Sequence, residues 1–488
     1  MISLKNKYKR LFASVLILAI ISCSNPWDDR IDNGDANLKV NLSEAIANTP
    51  EVSQFAQLLV QAGYDKVLAD SKSYTVFVPT NEAMAQVSAE ILNDSDALNK
   101  FIRNHITLTT FSSIRKEENT QIRMFGTKYL TFKGSTMIDD ATIVSADHYA
   151  KNGVFHIIDK ALTPKLNIWE YVKSQDGNSA MSHYLLSLKA FSIYTSDVAG
   201  KTLSESIGAG YLADSLTNSY LKNVYNLNNE KNSYTLFLME DAGYNSEVTK
   251  VKPYLIKPSN SVTVDSTAIY SSYFTARDMA FPKKYEIDEL PATLTSRFGV
   301  EVPVDKTQIV GQPIHLSNGI VYIMKKVDVP LQKRLVTTKI EGEKLSSFLP
   351  SDRRTYILYR DRIDPAGVFF NDVFVSSPGV TLFTLNYNAK DMFSTTFKVY
   401  WRAYNNRSAA ISQKLRVGGN YNTSGVLVNV IKDFGYVNVQ PNVFDEIYLG
   451  DVTLTNSGNI DLISLIAGTT STSELTLDYL KFVPQVKP

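Results

Sequence analysis

Tyr400, Arg402 and Tyr404 recur at every second position of Phe397-Lys398-Val399-Tyr400-Trp401-Arg402-Ala403-Tyr404, with Asn405, Asn406 and Arg407 next in the chain. Aromatic faces with a guanidinium and amides beside them can stack on a sugar or a peptide and hydrogen-bond its edge. A solvated face, or one packed on a neighbouring domain, is the competing reading. The other reactive residue types form no set. The five histidines are His105, His148, His156, His183 and His315. None makes a His-Glu-x-x-His motif or a helical metal-ligand pair. His148 and His156 bracket a hairpin signal and could meet, although a core role for His156 is the plainer expectation. Ser113-Ile114-Arg115-Lys116 has the Ser-x-x-Lys form without its companion motifs. Gly208-Ala209-Gly210-Tyr211-Leu212-Ala213 fits a loose dinucleotide fingerprint, but no apolar strand precedes it. Asp433-Phe434-Gly435 has the form of a kinase triplet without the partners. Asp28-Asp29, Asp139-Asp140 and Asp445-Glu446 are adjacent carboxylates, whereas glycosidase chemistry needs two set across a cleft. We expect solvated faces there, with weak calcium binding second. No catalytic residue, metal site or cofactor is expected, and no enzymatic activity. A hydrolase whose acids come from separate strands is the catalytic alternative.

One residue stands apart. Cys23 is the single cysteine in 488 residues, which excludes intrachain disulfides, thiolate zinc sites and iron–sulfur clusters. Before it come Lys5, Lys7, Lys9 and Arg10, and then an apolar run from Leu11 to Ile21 that is too short to span a bilayer but suits a signal-peptide core. Ile20-Ile21-Ser22-Cys23 resembles the bacterial lipobox. The resemblance implies a signal peptide over 1–22, lipid on Cys23 and a tether over 23–36. An ordinary secretory signal with an incidental cysteine is the competing reading. Loss of the four basic residues turns the formal charge of +1 negative. Lys+Arg 50 against Asp+Glu 49 argues against a nucleic-acid partner. Ser24-Asn25-Pro26-Trp27-Asp28-Asp29 is loosely similar to the surface-export signal of Bacteroidota lipoproteins, or is a plain tether. The expected location is the outer membrane, exposed at the cell surface.

The elements that carry these residues begin with an internal repeat. Ser73-Tyr74-Thr75-Val76-Phe77-Val78 parallels Ser233-Tyr234-Thr235-Leu236-Phe237-Leu238. Asn152-Gly153-Val154-Phe155-His156-Ile157-Ile158 parallels Asn318-Gly319-Ile320-Val321-Tyr322-Ile323-Met324, and Pro164 and Pro330 follow at equal distances. Tyr74 to Val78 is aromatic and β-branched, which predicts a buried strand. Pro79-Thr80-Asn81-Glu82-Ala83 turns the chain into a helix that Thr80 or Asn81 can cap. Asn152-Gly153 is a hairpin signal. Ser43 to Gly63 has apolar residues at mostly helical spacings, with Gly63 as its stop.

Phe55 to Gly63 followed by Tyr74 to Ala83 resembles the first signature of the fasciclin domain, and Asn152 to Asp159 with Pro164 resembles the second. Asn104-His105 sits where that family has a tyrosine–histidine pair. The second copy departs from the pattern, with Met239-Glu240-Asp241 in place of proline–threonine–asparagine and Tyr322 and Lys325 in place of His156 and Asp159. The resemblance implies a multidomain protein with two α+β fasciclin-type domains, at 37–165 and, divergent, at 166–333. Each would have a β-sandwich-like core with flanking helices.

From about Leu335 helical periodicity gives way to alternation. Strands are expected at Val426 to Ile431, Tyr436 to Val439, Ile447 to Leu454, Ile460 to Ala467 and Leu475 to Val483, with turns at Gly418-Gly419-Asn420 and Asn456-Ser457-Gly458-Asn459. This pattern predicts an all-β sandwich over 334–488. Leu475 to Pro484 resembles the last strand of galactose-binding-like jelly rolls and related carbohydrate-binding modules. Together the resemblances imply a non-enzymatic, lipid-anchored surface protein. By analogy it would serve as an accessory subunit of a SusC/SusD-like importer that captures a glycan or peptide. A stand-alone adhesin for matrix, mucin or other cells is the alternative.

Overall fold

The computed structural model describes residues 36–70, 72–113, 119–188, 214–258 and 265–487. Cys23, the expected signal peptide 1–22 and all but the end of the tether lie outside the described residues. So do Ile114 to Lys116 and Gly208 to Ala213. The described residues form two compact units, one of those up to 167 with 229–232 and 316–318, the other of the remaining described residues. Among the described residues no helix is long and apolar enough to cross a membrane.

The first unit is built on Tyr74–Pro79, buried along its whole length. Such a strand needs cover on both faces, and its apolar residues supply the matching surface. It runs parallel to Gly153–Ile158, with Tyr74 opposite Gly153 and Pro79 opposite Ile158. Around this pair a seven-stranded sheet runs in the order Ile106–Thr107, Tyr74–Pro79, Gly153–Ile158, Ala141–Ala150, Met137–Ile138, Tyr129–Phe132, Thr120–Arg123. The expected helix start is present. Thr80 Oγ1 accepts from Ala83 N at 3.2 Å, which satisfies one free N–H of the first turn. Gly63, at φ +75°, follows the helix Ser53–Gln61. The single helix expected upstream is instead broken into Leu42–Ala47, a 3-10 turn Pro50–Val52 and Ser53–Gln61. Pro50 lacks the N–H a continuous helix needs.

Gly153 does more than turn a hairpin. A Cβ there would lie 2.1 Å from the Tyr74 carbonyl oxygen and 2.7 Å from Leu42 Cδ1. The neighbouring Asn152 accepts from Leu42 N at 2.8 Å and donates to the carbonyls of Leu68 and Asp70 at 2.8 and 2.7 Å. One asparagine–glycine pair thus joins a helix start, a loop and two strands.

In the second unit Tyr234–Met239 runs parallel to Gly319–Met324 in the same register, Tyr234 opposite Gly319. A Cβ on Gly319 would lie 2.0 Å from the Tyr234 carbonyl oxygen and 2.9 Å from Ile168 Cδ1. The side-chain bonds repeat too. Thr75 Oγ1 donates to the Thr109 carbonyl and accepts from Phe111 N, at 2.7 and 2.8 Å. Thr235 Oγ1 donates to the Lys283 carbonyl and accepts from Tyr285 N, at 2.8 and 3.0 Å. Below this sheet Arg334 is fully buried between Glu247 and Asp278, at 3.0 and 3.2 Å.

From Thr338 onward the second unit is β apart from the 3-10 stretch Ser351–Tyr356. Thr338–Glu341, Tyr479–Pro484, Thr396–Arg402 and Glu446–Thr453 form one sheet, in that order. A six-stranded sheet contains Thr384–Met392, Gly458–Ala467 and Ile411–Tyr421, and a three-stranded one contains Ile357–Ile363, Phe369–Val375 and Leu475–Leu477. Phe397, Val399, Trp401 and Ala403 are buried on one face of their strand, as the alternation predicts. Two expectations need correction. Leu475 to Val483 is two strands in different sheets, parted at Asp478. There the Asp478 carboxylate takes Arg402 and its backbone N–H donates to the Arg402 carbonyl at 2.8 Å. Gly418 and Gly419 lie inside Ile411–Tyr421 at a register shift, with φ +76° and +114°, so they form a bulge. The turn falls after them, where Gly425 N donates to the Asn422 carbonyl at 2.9 Å.

Candidate ligand-binding site

The alternation on Thr396–Arg402 sends Tyr400, Arg402 and Tyr404 to the less buried face, and there their surroundings diverge. Tyr400 lies 5.3 Å from the Tyr448 ring, with Lys481 Nζ 5.0 Å from its own. Arg402 is wholly engaged. Its Nη1 meets Asp478 at 2.9 Å, its Nη2 meets Asp364 at 3.0 Å, and its Nε donates to the Phe444 carbonyl at 2.9 Å. Burial pushes the Asp478 carboxyl up to about 6, against the pull of Arg402. The Val368 N–H bond holds Asp364 below the usual carboxylate range. Asp364 also accepts from Ala366 N, which closes the tip of the hairpin Ile357–Ile363 and Phe369–Val375. Arg402 therefore fixes the hairpin tip to the loop that carries Phe444.

Tyr404, just beyond that strand, enters an aromatic cluster. Its ring stacks on Phe444 at 4.3 Å and 20°. Phe370 stands edge-on to both, at 6.3 Å from Tyr404 and 6.2 Å from Phe444. Such pairs favour these geometries because the ring edge is positive and the face negative. All three rings are half-buried. The Arg402 guanidinium lies 4.6 Å from the Phe370 ring, and that of Arg362 lies 5.7 Å from the Tyr404 ring. Tyr404 Oη donates to Asn442 Oδ1 at 3.4 Å.

The amides after Tyr404 hold the loops. Asn405 is buried and donates to the Ala409 and Val439 carbonyls at 2.8 and 2.9 Å. Asn406 accepts from Arg360 at 3.1 Å, and Arg407 pairs with Glu474 at 2.9 Å. Beyond Arg407 a groove of 530 Å³ is lined by Ile411, Tyr436, Thr470 and Glu474. Phe370, Phe444, Arg362 and Asn442 are absent from the sequence reading. They come from two stretches of chain distant from Tyr404, the hairpin 357–375 and the loop 440–445, and no local motif links them to it.

The histidines are structural or exposed. His105 is fully buried, donates from Nδ1 to the Phe101 carbonyl at 2.8 Å and accepts at Nε2 from Leu162 N at 2.9 Å. Burial lowers it to about 4. His156 donates from Nε2 to the Phe111 carbonyl at 2.9 Å and accepts at Nδ1 from Asp147 N at 3.2 Å. Burial lowers it too. His148 bonds Ser145 at 2.7 Å and stacks on Phe155. Both nitrogens of His105 and His156 are engaged, so neither offers a ligand atom. Among the described residues no group of three His, Cys, Asp or Glu is placed to hold a metal ion.

Residues 50–164 match the family model of the fasciclin domain. This segment is a fasciclin domain. It includes the parallel pair Tyr74–Pro79 and Gly153–Ile158 and the two buried histidines. Among similar proteins, Protein sll1483 of Synechocystis sp. is 27% identical over 136 residues, 26% of this chain and 75% of that protein. Transforming growth factor-beta-induced protein ig-h3 of Sus scrofa is 31% identical over 121 residues, 21% of this chain and 17% of that protein. Human periostin is 27% identical over 133 residues, 25% of this chain and 16% of that protein. The chain thus spans less than a fifth of either animal protein. Among solved structures, the FAS1 domain pair of the insect cell adhesion molecule fasciclin I is 15% identical, with a TM-score of 0.23, and 59% of this chain and 99% of that one are covered. A β-1,3-glucan binding CBM6 from Bacillus halodurans is 12% identical, with a TM-score of 0.21 and coverage of 30% and 94%.

Proposed function

We propose that the chain is a non-enzymatic, lipid-anchored binding protein of the cell surface that captures a glycan on the cluster of Phe370, Tyr404 and Phe444. The carrying observation is the geometry of that cluster. Three half-buried rings are clamped by Arg402 between two loops, with Asn442 and Arg362 at their edge. Rings fixed in place lose little freedom when a ligand stacks on them, so more of the contact energy remains as affinity. A divergent fasciclin-like domain at 166–333 is part of the proposal, supported by the shared register of the two parallel pairs. The sandwich at 334–488 is the glycan-binding module.

Anchoring rests on Ile20-Ile21-Ser22-Cys23. Growth with a labelled fatty acid should mark the wild-type protein and leave Cys23→Ser unlabelled and released from membranes, and a labelled Cys23→Ser would remove the anchor. Partnership with a SusC/SusD-like importer is proposed by analogy. Gentle extraction and capture of the anchored protein should bring down a β-barrel partner. Recovery of the protein bound to matrix or mucin, with no barrel, would favour the adhesin instead. For the site itself, Tyr404→Ala and Phe444→Ala should each weaken binding to a glycan panel at least about tenfold, since ring–ligand contacts are worth a kcal/mol or more. Unchanged binding would move the site elsewhere.

A further inference from the structure

We infer that the glycan taken by this site is anionic and that Arg362 is the residue that selects it. The inference rests on the aromatic cluster being the ligand site. Arg362 and Arg402 lie over rings of the cluster, and Arg360 and Arg407 lie nearby over Phe374; three of the four have a carboxylate. Arg360 holds Asp372, Arg402 holds Asp364 and Asp478, and Arg407 holds Glu474. Arg362 has none: no Asp or Glu oxygen among the described residues lies within ion-pair distance, and its Nε is buried without a hydrogen-bond partner. Arg103, Arg277, Arg334 and Arg353 also have an Nε without a hydrogen-bond partner, so the missing carboxylate is what sets Arg362 apart from the arginines near it. A half-buried cation without an anion is costly.

The position of Arg362 says where a counter-anion for its guanidinium belongs. Arg362 pairs across the hairpin with Phe370, so the two share a face of the sheet. Its guanidinium lies 5.7 Å from the Tyr404 ring. An anionic group on a molecule lying on Tyr404 is therefore within reach of the Arg362 guanidinium. The neighbouring Asp361 is turned away and accepts from Asn371 Nδ2 at 2.8 Å, so it does not neutralise the arginine. A sugar ring stacked on the aromatic cluster with a carboxylate or sulfate at its edge supplies both contacts at once. The planar guanidinium can meet either group through two parallel N–H bonds.

The experiment titrates the full-length anchored protein, extracted in detergent, with oligogalacturonate, with the same oligosaccharide after reduction of its carboxyls, and with a sulfated oligosaccharide. Wild type, Arg362→Gln, Arg362→Lys and Tyr404→Ala are compared after circular dichroism has shown that each is folded. We expect at least one anionic ligand to bind the wild type about tenfold or more tightly than the neutral one. Arg362→Gln should erase that preference, and Arg362→Lys should restore part of it. Tyr404→Ala should weaken every ligand. Preference for the uronate over the sulfate, or the reverse, identifies the anionic group. If neutral and anionic ligands bind alike and Arg362→Gln changes nothing while Tyr404→Ala still weakens both, the anionic assignment is wrong and the aromatic site survives. If no saccharide of any kind binds, both fall together.

Discussion

His156 and Tyr322 make the same hydrogen bond in the two halves of the repeat. His156 Nε2 donates to the Phe111 carbonyl and Tyr322 Oη to the Tyr285 carbonyl, both at 2.9 Å. The amides of Phe111 and Tyr285 are in turn bound by Thr75 and Thr235. One half uses an imidazole and the other a phenol, and the acceptor has a partner in both, because a buried carbonyl left without one is costly. The residue type differs between the two halves at this position while the contact is the same.

Replacing Tyr322 by Phe removes that donor and little volume. Urea unfolding should show a loss of about 1–2 kcal/mol. His156→Phe should cost more, since it strips partners from both the Phe111 carbonyl and the Asp147 N–H. Equal losses would mean that the second bond contributes nothing.

Acid should weaken the fasciclin domain before its carboxylates titrate. His105 is lowered from 6.5 to about 4 by burial. Between those values the unfolded chain binds a proton that the folded one refuses, so stability rises with pH across that window. It is fully present above pH 6.5 and is lost on the way down to 4, at a cost on the order of 3 kcal/mol. His156 shifts the same way. Unfolding midpoints measured from pH 7 to 4 should fall, and should fall less in His105→Gln. A flat profile in the wild type would contradict the buried neutral imidazole.

Gly153→Ala and Gly319→Ala should each destabilise by about 3 kcal/mol or more, because the new methyl meets a carbonyl oxygen it cannot displace. Gly177 and Gly311 also have positive φ, but a Cβ on either meets nothing within 4 Å. Alanine there should cost about 1 kcal/mol. The same loss at all four sites would show that backbone conformation, and not close approach, sets the cost.

Arg402→Ala separates positioning from binding. It leaves the buried Asp478 without its cation and frees the hairpin tip, so thermal unfolding of the sandwich should fall by about 3 kcal/mol. Tyr404→Ala should cost less stability and more affinity. An Arg402→Ala variant as stable as wild type would remove the clamp from the account of the site.

The parallel strands were legible because their residues are buried on both sides, leaving an apolar run with a cap and a glycine at its ends. The broken helix was written in Pro50, but the spacing of Ala45, Ile46 and Phe55 carried more weight. In the sandwich, alternation marked the face of Tyr400, Arg402 and Tyr404. It could not say that Arg402 meets Asp364 and Asp478, because those partners lie far along the chain. The same distance hid Phe370 and Phe444. In the sequence Asp478 looks like one strand position among many, although it is where the chain leaves one sheet for another.

That exchange of sheets bears on the order of synthesis. Tyr479–Pro484 lies between Thr338–Glu341 and Thr396–Arg402, and Leu475–Leu477 pairs with the hairpin strand Phe369–Val375. Until residues 475–484 have left the ribosome and crossed any membrane on the way, both neighbours of that gap remain open templates for another chain. The sandwich therefore cannot close before those residues are available, and a chaperone would find its work at the unzipped strands Thr338–Glu341 and Thr396–Arg402.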